Sequence, residues 1–384
     1  MMRKAKISVI VLFVGTLAFS FFLSVLFPQK EFSATENRPL EQRPELCVED
    51  ILSGDFQETY ENYLNDQFPG RDRWVNLAVG TDRLLGQKDV NKIYLGKDGY
   101  LLEKYSDGDF DERQSEDNIG ILGEFLNRMT EQYGKEHVDC FFVPGKAAAL
   151  SKKLPKFAEP YDEQEIISAV LDELEEPEVL TDLTDIMQKH ENEYIYYRTD
   201  HHWTTLGAYY AYEAWCEKKK EVPVSLSSYQ REVVSNSFYG TSYNKSHQRV
   251  KKDTIELFHG PVESGGIHVD WDDGEEEADS WYWKDALRTH DQYQVFFNGN
   301  TAKITVDTGN KNGKTLLLLK DSYSNCFVPF LAEHYNRIIM IDLRYCSDCI
   351  DDIMEEYPDI SDVMVMYNVE KFLQDDHMEL LAEY

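Results

Sequence analysis

Two short polar segments carry the residue types that acyl-ester chemistry needs. The first is Asp-His-His-Trp-Thr at residues 200–204, and the second is Asp-Ser at residues 321–322. A carboxylate beside an imidazole makes a general base, because the carboxylate fixes the tautomer of the ring and stabilises its protonated form. A serine hydroxyl next to such a base becomes a nucleophile. Together the segments predict a serine-dependent acyl-transfer or ester-cleaving site.

The position of Ser322 supports this prediction. It follows Thr-Leu-Leu-Leu-Leu at residues 315–319, the most apolar predicted strand, and precedes a predicted helix over residues 328–335. Ligands and catalytic groups gather at the carboxyl ends of parallel strands. Free backbone N–H groups at a helix start can also hold an oxyanion. A simple helix cap is the alternative use of this serine.

The histidine segment follows a predicted strand over residues 194–197 and precedes a predicted helix over residues 206–218. Trp203 and the aromatic strand are expected to keep the segment partly buried. A polar surface loop is one alternative, and a metal-dependent hydrolase using His201 and His202 is another. Adjacent histidines rarely point to one ion, and no second His/Glu pair at helical spacing completes a ligand set. We therefore predict no metal and no cofactor.

The remaining pattern predicts an α/β fold, in which short apolar strands alternate with helices and build a mainly parallel sheet covered on both faces. A hairpin is expected over residues 92–102. Further strands are predicted over residues 138–143, 293–297, 337–341 and 363–366, and helices over residues 56–66, 74–85, 114–133 and 179–189. Residues 222–290, with an acidic run at 270–279, are predicted to be an irregular insertion.

Composition excludes several protein classes. The 384 residues contain 39 Lys and Arg against 71 Asp and Glu, a net charge of −32, so a nucleic-acid partner is not expected. A hydrophobic content of 42% and an aromatic content of 13% exclude disorder over most of the chain. Six cysteines are too few for a disulfide scaffold, although Cys346 and Cys349 are spaced closely enough to pair.

The amino terminus predicts a membrane anchor. Basic residues precede an uncharged run of 21 residues, Ile7 to Phe27. At about 1.5 Å per residue such a helix spans a hydrocarbon core. A cleaved signal peptide is the rival, but its apolar core is usually shorter. We expect residues 1–27 to be an uncleaved signal anchor, 28–50 an extended stalk, and 51–384 a single domain. The domain is expected to face outward, because the basic end of the anchor stays inside.

Five segments in order resemble the DHHW family and, more broadly, the SGNH-hydrolase-like domains of the alginate O-acetylation proteins. They are Glu-Asn-Arg-Pro-Leu at 36–40, Asp-Gln-Phe-Pro-Gly-Arg at 66–71, Leu-Gly-Lys-Asp-Gly-Tyr-Leu at 95–101, and the segments at 199–204 and 320–325. The resemblance implies an SGNH-like three-layer sandwich. Because the serine follows the Asp and His here, the motif order is that of a circular permutation.

The resemblance also implies roles for particular residues. Ser322 would be the nucleophile, His202 the general base and Asp200 its orienting carboxylate, with His201 as the runner-up base. The family's oxyanion Gly and Asn have no secure counterpart, and Gly299, Asn300 and Gly240 are the candidates. Common SGNH enzymes read Gly-Asp-Ser, whereas this chain has Lys320 before Asp321.

Lys320 is therefore a departure with two readings. A cation beside the nucleophile would steer an anionic polymer or help stabilise the oxyanion, whereas the simpler reading is a solvent-facing lysine. Trp203 and Tyr323 are candidates for stacking on sugar rings, with ordinary core packing as their alternative.

These observations predict an extracellular, single-pass O-acetyltransferase that modifies a cell-surface or secreted polysaccharide through an acetyl-enzyme. A membrane-bound acyl-donor protein is a partner implied by the family. Two alternatives stay open. One is a polysaccharide O-acetyl esterase with the same triad, and the other is a non-catalytic glycan-binding or assembly scaffold, which the departure at Lys320 motivates.

Overall fold

The computed structural model describes residues 10–16, 18, 19, 22, 26, 28–33, 38–84, 86–248, 250–272 and 274–382. The chain divides into two compact units. The first comprises residues 1–87 and 244–248, and the second comprises residues 88–243 and 249–384. The second unit carries every candidate site residue, and it begins at Lys88, whereas the sequence predicted one domain from residue 51.

Within the described residues, both ends are defined for twelve helices and fifteen strands. The helices are α1 (Val48–Ser53), α2 (Asp55–Asp66), α3 (Arg71–Leu84), α4 (Glu112–Tyr133), α5 (Lys146–Ala149), α6 (Glu163–Glu173), α7 (Thr184–Lys189), α8 (Thr205–Lys219), α9 (Thr241–Ser246), α10 (Val328–Leu331), α11 (Ile350–Glu356) and α12 (Val369–Gln374). The strands are β1 (Phe32–Ser33), β2 (Arg38–Pro39), β3 (Asp89–Val90), β4 (Ile93–Leu95), β5 (Leu101–Glu103), β6 (Val138–Val143), β7 (Leu180–Asp182), β8 (Gln230–Phe238), β9 (Asp253–His259), β10 (Ile267–Trp271), β11 (Glu276–Ala278), β12 (Lys303–Thr308), β13 (Thr315–Lys320), β14 (Arg337–Ile341) and β15 (Asp362–Asn368).

The first unit contains the antiparallel pair β1–β2 and helices α1 to α3. The predicted helices over residues 56–66 and 74–85 are confirmed as α2 and α3. Residues 10–16 are helical, but the predicted anchor at 7–27 lies partly outside the described residues. Among the residues that are described, we find no helix with the length and apolar character that crossing a membrane requires. The anchor therefore stays a prediction.

An eight-stranded sheet dominates the second unit, with strand order β11-β10-β12-β14-β13-β15-β6-β7. The five strands from β14 to β7 run parallel, whereas β12, β10 and β11 extend the sheet by antiparallel pairing. The mixed α/β fold with a mainly parallel sheet is confirmed. Strand β13 lies between β14 and β15, so the chain that leaves it emerges near the middle of the sheet.

The sheet has an apolar core on each face, as its sequence pattern predicts. Along β13, Leu316 and Leu318 point into one core, while Leu317 and Leu319 point into the other. Helix α8 packs in the first core, and α4, α6, α11 and α12 pack in the second. Strands buried on both faces read as continuous apolar runs, which is why β6 and β13 were predictable.

The long helix α4 has clear ends. The Asp111 carboxylate accepts a hydrogen bond from the Gln114 N–H at 2.9 Å and caps the first turn. At the other end Gly134, with φ of +88°, donates its N–H to the Thr130 carbonyl. A row of side chains on one face of the helix fixes it to the sheet: Leu122, Phe125, Leu126 and Met129.

Four sequence predictions about elements differ from the structure. Residues 222–290 are not irregular, since they contain β8, β9, β10 and β11. These are antiparallel strands with polar side chains on one side, so they lack the continuous apolar signal. The predicted helix over 179–189 divides into β7 and α7, because pairing with β6 outweighs the helical periodicity.

The other two differences fall next to the candidate site. The segment 194–197 makes only an isolated bridge, Tyr196 with Trp203, within the described chain. The segment 293–297 begins as a 3₁₀ turn, Gln292–Val295, and continues with Phe297 at a φ of 59°. A left-handed residue cannot continue a strand, so buried aromatic character alone misled the prediction. All six cysteines are free, including Cys346 and Cys349.

Candidate active site

The turn after β13 places Ser322 at the carboxyl edge of the sheet. Asp321 leaves the strand and caps the 3₁₀ turn Ser322–Cys326 by accepting the Tyr323 N–H at 2.9 Å. Its other carboxylate oxygen accepts the Asn368 N–H at 2.8 Å from the end of β15. Burial raises the pKa of Asp321, although the hydrogen bond from Asn368 opposes that shift. Asp321 thus fixes the conformation of the turn through two main-chain hydrogen bonds, and it makes none of the contacts between Ser322, His202 and Asp200 described below.

The loop that carries the histidines is short and closed. The Tyr197 N–H donates to the His202 carbonyl at 3.1 Å. Asp253 holds the loop's entry, accepting the N–H groups of Arg198 at 2.9 Å and Thr199 at 2.7 Å. Because Thr204 then caps α8 by accepting the Gly207 N–H, the loop is fixed at both ends.

Ser322, His202 and Asp200 form one hydrogen-bonded chain. The Ser322 Oγ lies 2.7 Å from His202 Nε2, and His202 Nδ1 lies 2.6 Å from Asp200 Oδ1. An ionised carboxylate only accepts hydrogen bonds, so Nδ1 carries the proton and the Nε2 lone pair faces the serine hydroxyl. The structure therefore brings together the three residues that the sequence selected.

The environment of Asp200 keeps its carboxyl ionised. Asp200 Oδ2 accepts the Thr241 N–H at 2.9 Å and the Thr241 hydroxyl at 3.1 Å. The main-chain N–H of His202 donates to Oδ1 at 3.0 Å. Burial by itself would raise the pKa of Asp200. The imidazoles of His202 and His201 and these hydrogen bonds outweigh burial and hold the pKa well below its usual range. Thr241 gave no sequence signal, since nothing links it to residue 200.

Tyr293 is a further contact residue that sequence reasoning missed. Its ring stacks on the His202 imidazole, with centroids 3.8 Å apart and an interplanar angle of 7°. Its hydroxyl donates to the Ser322 carbonyl at 3.2 Å. One side chain therefore touches both the His202 ring and the main chain of Ser322. Its sequence setting suggested only an ordinary strand residue.

The runner-up base and the two proposed sugar-stacking residues occupy different positions. His201 lies against His202 with ring centroids 3.8 Å apart, and its Nδ1 is 2.6 Å from the Thr241 hydroxyl. Trp203 and Tyr323 are both buried, so neither offers a face to a sugar ring. Trp203 Nε1 donates to the Tyr323 carbonyl at 2.9 Å, and the Tyr323 hydroxyl donates to the His201 carbonyl at 2.7 Å. These contacts join the two halves of the site, and the stacking prediction is wrong.

Lys320 is neither a solvent-facing nor a steering cation, because it is fully buried. Its Nζ donates to Asn300 Oδ1 at 2.7 Å, to Asn325 Oδ1 at 3.0 Å and to Asp342 Oδ2 at 3.4 Å. Burial lowers its pKa, and the Asp342 carboxylate opposes that shift. Asp342 is also paired with Arg344 through two hydrogen bonds. Lys320 thus stabilises the turn Ser322–Cys326 from the buried side.

The oxyanion candidates differ in what their donors already bind. The Gly240 N–H donates to the Thr199 hydroxyl at 3.2 Å, and a Cβ at Gly240 would lie 2.2 Å from Asp200 side-chain atoms. Gly240 is therefore needed for close packing behind Asp200. The Gly299 N–H is bonded to the Phe296 carbonyl.

Asn300 remains a candidate for the oxyanion site. Its Oδ1 faces Lys320, so its amide NH₂ end points the other way. The Ser322 N–H is the first of its turn and has no partner within the turn.

Asp200, His201 and His202 also offer ligand atoms close enough together for a metal ion. The donor chemistry fits poorly. His202 Nδ1 carries the proton bonded to Asp200, and Nε2 faces the serine hydroxyl. Both ring nitrogens of His202 therefore already make hydrogen bonds. Binding a metal ion there would break the hydrogen-bonded chain of Ser322, His202 and Asp200.

The comparisons with known proteins agree with the mixed α/β fold and show similarity to SGNH-hydrolase-like domains. A family model described as "DHHW protein" matches residues 180–341. A second, described as "SGNH hydrolase-like domain, acetyltransferase AlgX", matches residues 93–247. The predicted resemblance to the DHHW family is confirmed. No curated protein matches the chain.

Solved structures extend this similarity over most of the chain. A DHHW family protein from Eubacterium siraeum DSM 15702 is 25% identical with a TM-score of 0.60, covering 76% of this chain and 95% of that one. Bacillus cereus PatB1, solved with a sulfonyl adduct, is 20% identical with a TM-score of 0.59, covering 75% of this chain and 97% of that one. The PatB1 likeness concerns the fold.

Proposed function

We propose that this protein is an O-acetyltransferase that modifies a cell-surface or secreted polysaccharide through an acetyl-serine intermediate. The observation that carries the proposal is the hydrogen-bonded chain from Ser322 through His202 to Asp200. A family match to a domain described by the acetyltransferase AlgX supports acyl transfer as the general kind of chemistry.

In the first half-reaction, Ser322 Oγ attacks the carbonyl carbon of an acetyl donor. His202 Nε2 takes the serine proton and passes it to the leaving group as the donor bond breaks. Asp200 stabilises the imidazolium that exists between these steps. The Ser322 N–H and the Asn300 amide are the candidate donors to the oxyanion. The products are acetyl-Ser322 and the protonated leaving group.

In the second half-reaction, a sugar hydroxyl attacks the acetyl carbon. His202 Nε2 takes the hydroxyl proton and returns it to Ser322 Oγ as the acyl bond breaks. The acetyl group leaves as a sugar ester and the enzyme is restored. Water in place of the sugar would make the same residues an esterase, so exclusion of water from the acceptor position separates the two activities.

The proposal includes an outward location. The uncharged run of residues 7–27 motivates an anchor, and a polysaccharide acceptor requires the second unit to face outside. A membrane-bound acyl-donor protein is the partner that such an enzyme would need. Protease accessibility of the second unit on intact cells tests the location, since cleavage only after lysis would contradict it.

The direct test uses the full chain with a chromogenic acetyl ester and intact-mass measurement. We expect turnover and an adduct of one acetyl group, both absent in Ser322→Ala. Ser324→Ala is the matched control, because Ser324 lies in the same turn and its Oγ has no hydrogen-bond partner in the described chain. An adduct that persists in Ser322→Ala would reject the nucleophile.

A second measurement separates the remaining functions. A deacetylated polysaccharide is added, and its acetyl content and free acetate are followed. Acetylated polymer supports transfer, whereas free acetate at an unchanged rate supports the esterase. Absence of both adduct and turnover in folded protein would favour a scaffold.

A further inference from the structure

A buried lysine lies directly behind the histidine loop. Lys146 follows β6 and begins helix α5, and it is only 1% exposed. Its Nζ donates to the Asp200 carbonyl at 2.6 Å, to the Tyr197 carbonyl at 3.2 Å and to the Ser242 hydroxyl at 3.3 Å. An ammonium group has three protons, and each of these has an acceptor. Two of the acceptors are main-chain atoms of the loop that carries Asp200.

The charge of this lysine is balanced within the same cluster. Glu103 Oε2 lies 3.8 Å from the Lys146 Nζ. Ser242 accepts from Lys146 and donates its own proton to the other oxygen of Glu103. Glu103, at the end of β5, is itself buried. Lys146, Ser242 and Glu103 are therefore linked by hydrogen bonds and charge, and removing the ammonium would take away the donor of several buried acceptors.

The lysine is also fixed from its other side. The preceding Gly145 N–H donates to Glu163 Oε1 at 3.0 Å. A Cβ on Gly145 would lie 1.9 Å from Glu370 Oε1, so the backbone fits closely against that carboxyl. Burial, together with the neighbouring Glu370, raises the pKa of Glu163 well above its usual range. The start of α5 is thus held by buried groups from α6 and α12.

We propose that Lys146 is a positioning residue for the acyl transfer, acting on the main chain of residues 197–202. This inference rests on the proposed function of Ser322, His202 and Asp200. The ammonium holds the Asp200 carbonyl, and the Asp200 carboxylate orients His202 towards Ser322. A shift of the loop would lengthen the 2.7 Å contact between His202 and Ser322. Misplacement of catalytic groups by about 1 Å costs up to a hundredfold in rate.

The test follows sulfonylation of Ser322 by an aryl sulfonyl fluoride across a pH series, using the full chain and intact mass. The reagent needs only the serine and its base, not a donor or an acceptor. We expect Lys146→Met to slow sulfonylation about ten- to hundredfold and to shift its pH midpoint, because the orientation of His202 changes. Lys146→Arg, which keeps the charge, is expected to restore part of the rate.

Lys152→Met is the matched control. Lys152 lies in the turn after α5 and pairs with Glu191, but its side chain is 76% exposed. We expect its sulfonylation rate and pH midpoint to equal those of the wild type. If Lys146→Met fails to fold, Ser242→Ala removes one acceptor of the ammonium and is expected to slow sulfonylation about threefold.

The outcomes distinguish this inference from the proposed function. No sulfonylation of the wild type would reject the nucleophile itself. A labelled wild type together with wild-type rate and pH midpoint in Lys146→Met would overturn the positioning role alone. Loss of stability without a kinetic change would also overturn it, because a merely structural lysine predicts that result. Where Lys146→Met does not fold, an unchanged rate of sulfonylation in Ser242→Ala would overturn the positioning role of Lys146.

Discussion

The serine and the histidine of the candidate site are held by different kinds of contact. On the serine side, Asp321 caps its own turn through Tyr323, two residues away. On the histidine side, the loop at 197–202 is held by Lys146 and Thr241, which lie far from it in sequence. The serine turn is therefore capped locally, and Asp321 adds one contact to a distant segment by accepting the Asn368 N–H at the end of β15. The histidine's position depends on contacts between distant parts of the chain.

The two buried lysines make the same contrast. Lys320 contacts side chains beneath the serine turn, and Asp342 and Arg344 continue its network. Lys146 contacts main-chain carbonyls of the loop at residues 197–202 itself. Lys320 adds side-chain contacts to a turn whose main chain is already capped by Asp321. Lys146 donates to main-chain carbonyls and so helps to determine the conformation of the loop at residues 197–202. We therefore expect loss of Lys320 to affect stability and loss of Lys146 to affect kinetics.

The largest effect is expected at the carboxylate of the histidine side. Asp200→Asn removes the charge that fixes the His202 tautomer, and kcat for the acetyl ester should fall about 10³- to 10⁴-fold. His201→Gln is the comparison, because the His201 Nδ1 contacts Thr241. It should cost less than about tenfold. Equal losses in the two variants would move the base assignment to His201.

Next in size is the stability contribution of Lys320. Lys320→Met leaves the oxygens of Asn300 and Asn325 without their ammonium donor, while Asp342 keeps Arg344. We expect the free energy of unfolding in urea to fall by about 2–3 kcal/mol. Lys314→Met, at an exposed pair with Glu221, should change it by less than about 0.5 kcal/mol.

The same variant sharpens the contrast between the lysines. The pH midpoint of Ser322 sulfonylation should be unchanged in Lys320→Met, since His202 and Asp200 keep their contacts. A shifted midpoint would show that the two sides of the site are not separable.

A smaller effect is expected at the contact between the two sides. Tyr293→Leu removes the ring stacked on His202, and sulfonylation should slow about tenfold. Tyr293→Phe keeps the ring and loses the hydroxyl's hydrogen bonds to the Ser322 carbonyl and to Cys326 Sγ, so about a twofold loss is expected. Similar rates in Leu and Phe would argue that stacking does not orient the base.

The smallest effect concerns the carboxyl pair behind Lys146. The folded pKa of Glu163 is raised by burial and by Glu370, so its stabilising contribution is present below the ordinary pKa of a glutamate. That contribution is lost as the pH rises through the raised folded pKa. Glu163→Gln should therefore flatten the decline in unfolding free energy towards alkaline pH.

Glu165→Gln is the control for this measurement, since Glu165 is exposed on the same helix. It should leave the pH profile unchanged. A wild-type profile in Glu163→Gln would mean that the carboxyl pair carries no protonation-linked stability.

Part of the fold could be predicted from the sequence, because strands buried on both faces of a sheet are rich in consecutive apolar residues. Strands β6, β13, β14 and β15 consist mostly of apolar residues, and each was predicted nearly to its ends. The antiparallel strands within 222–290 were missed, because half of their positions face polar surroundings and short alternation is a weak signal.

The sequence by itself determined the chemical identities of the site. Asp200, His202 and Ser322 were selected from residue type, from the resemblance, and from the position of Ser322 at the end of a buried strand. The apolar run of β13 and the polar turn after it are visible in the local sequence, so the position of Ser322 was predictable before the pairing with β14 and β15 was known.

Only the tertiary structure decided which groups hold these residues in place. Tyr293 on the His202 ring and Lys146 on the Asp200 carbonyl come together through folding of segments more than 50 residues apart. Lys320 changed from an expected surface cation to a buried donor for the same reason. A buried charge is stable only where acceptors converge on it, and that convergence belongs to the folded chain and not to any one segment.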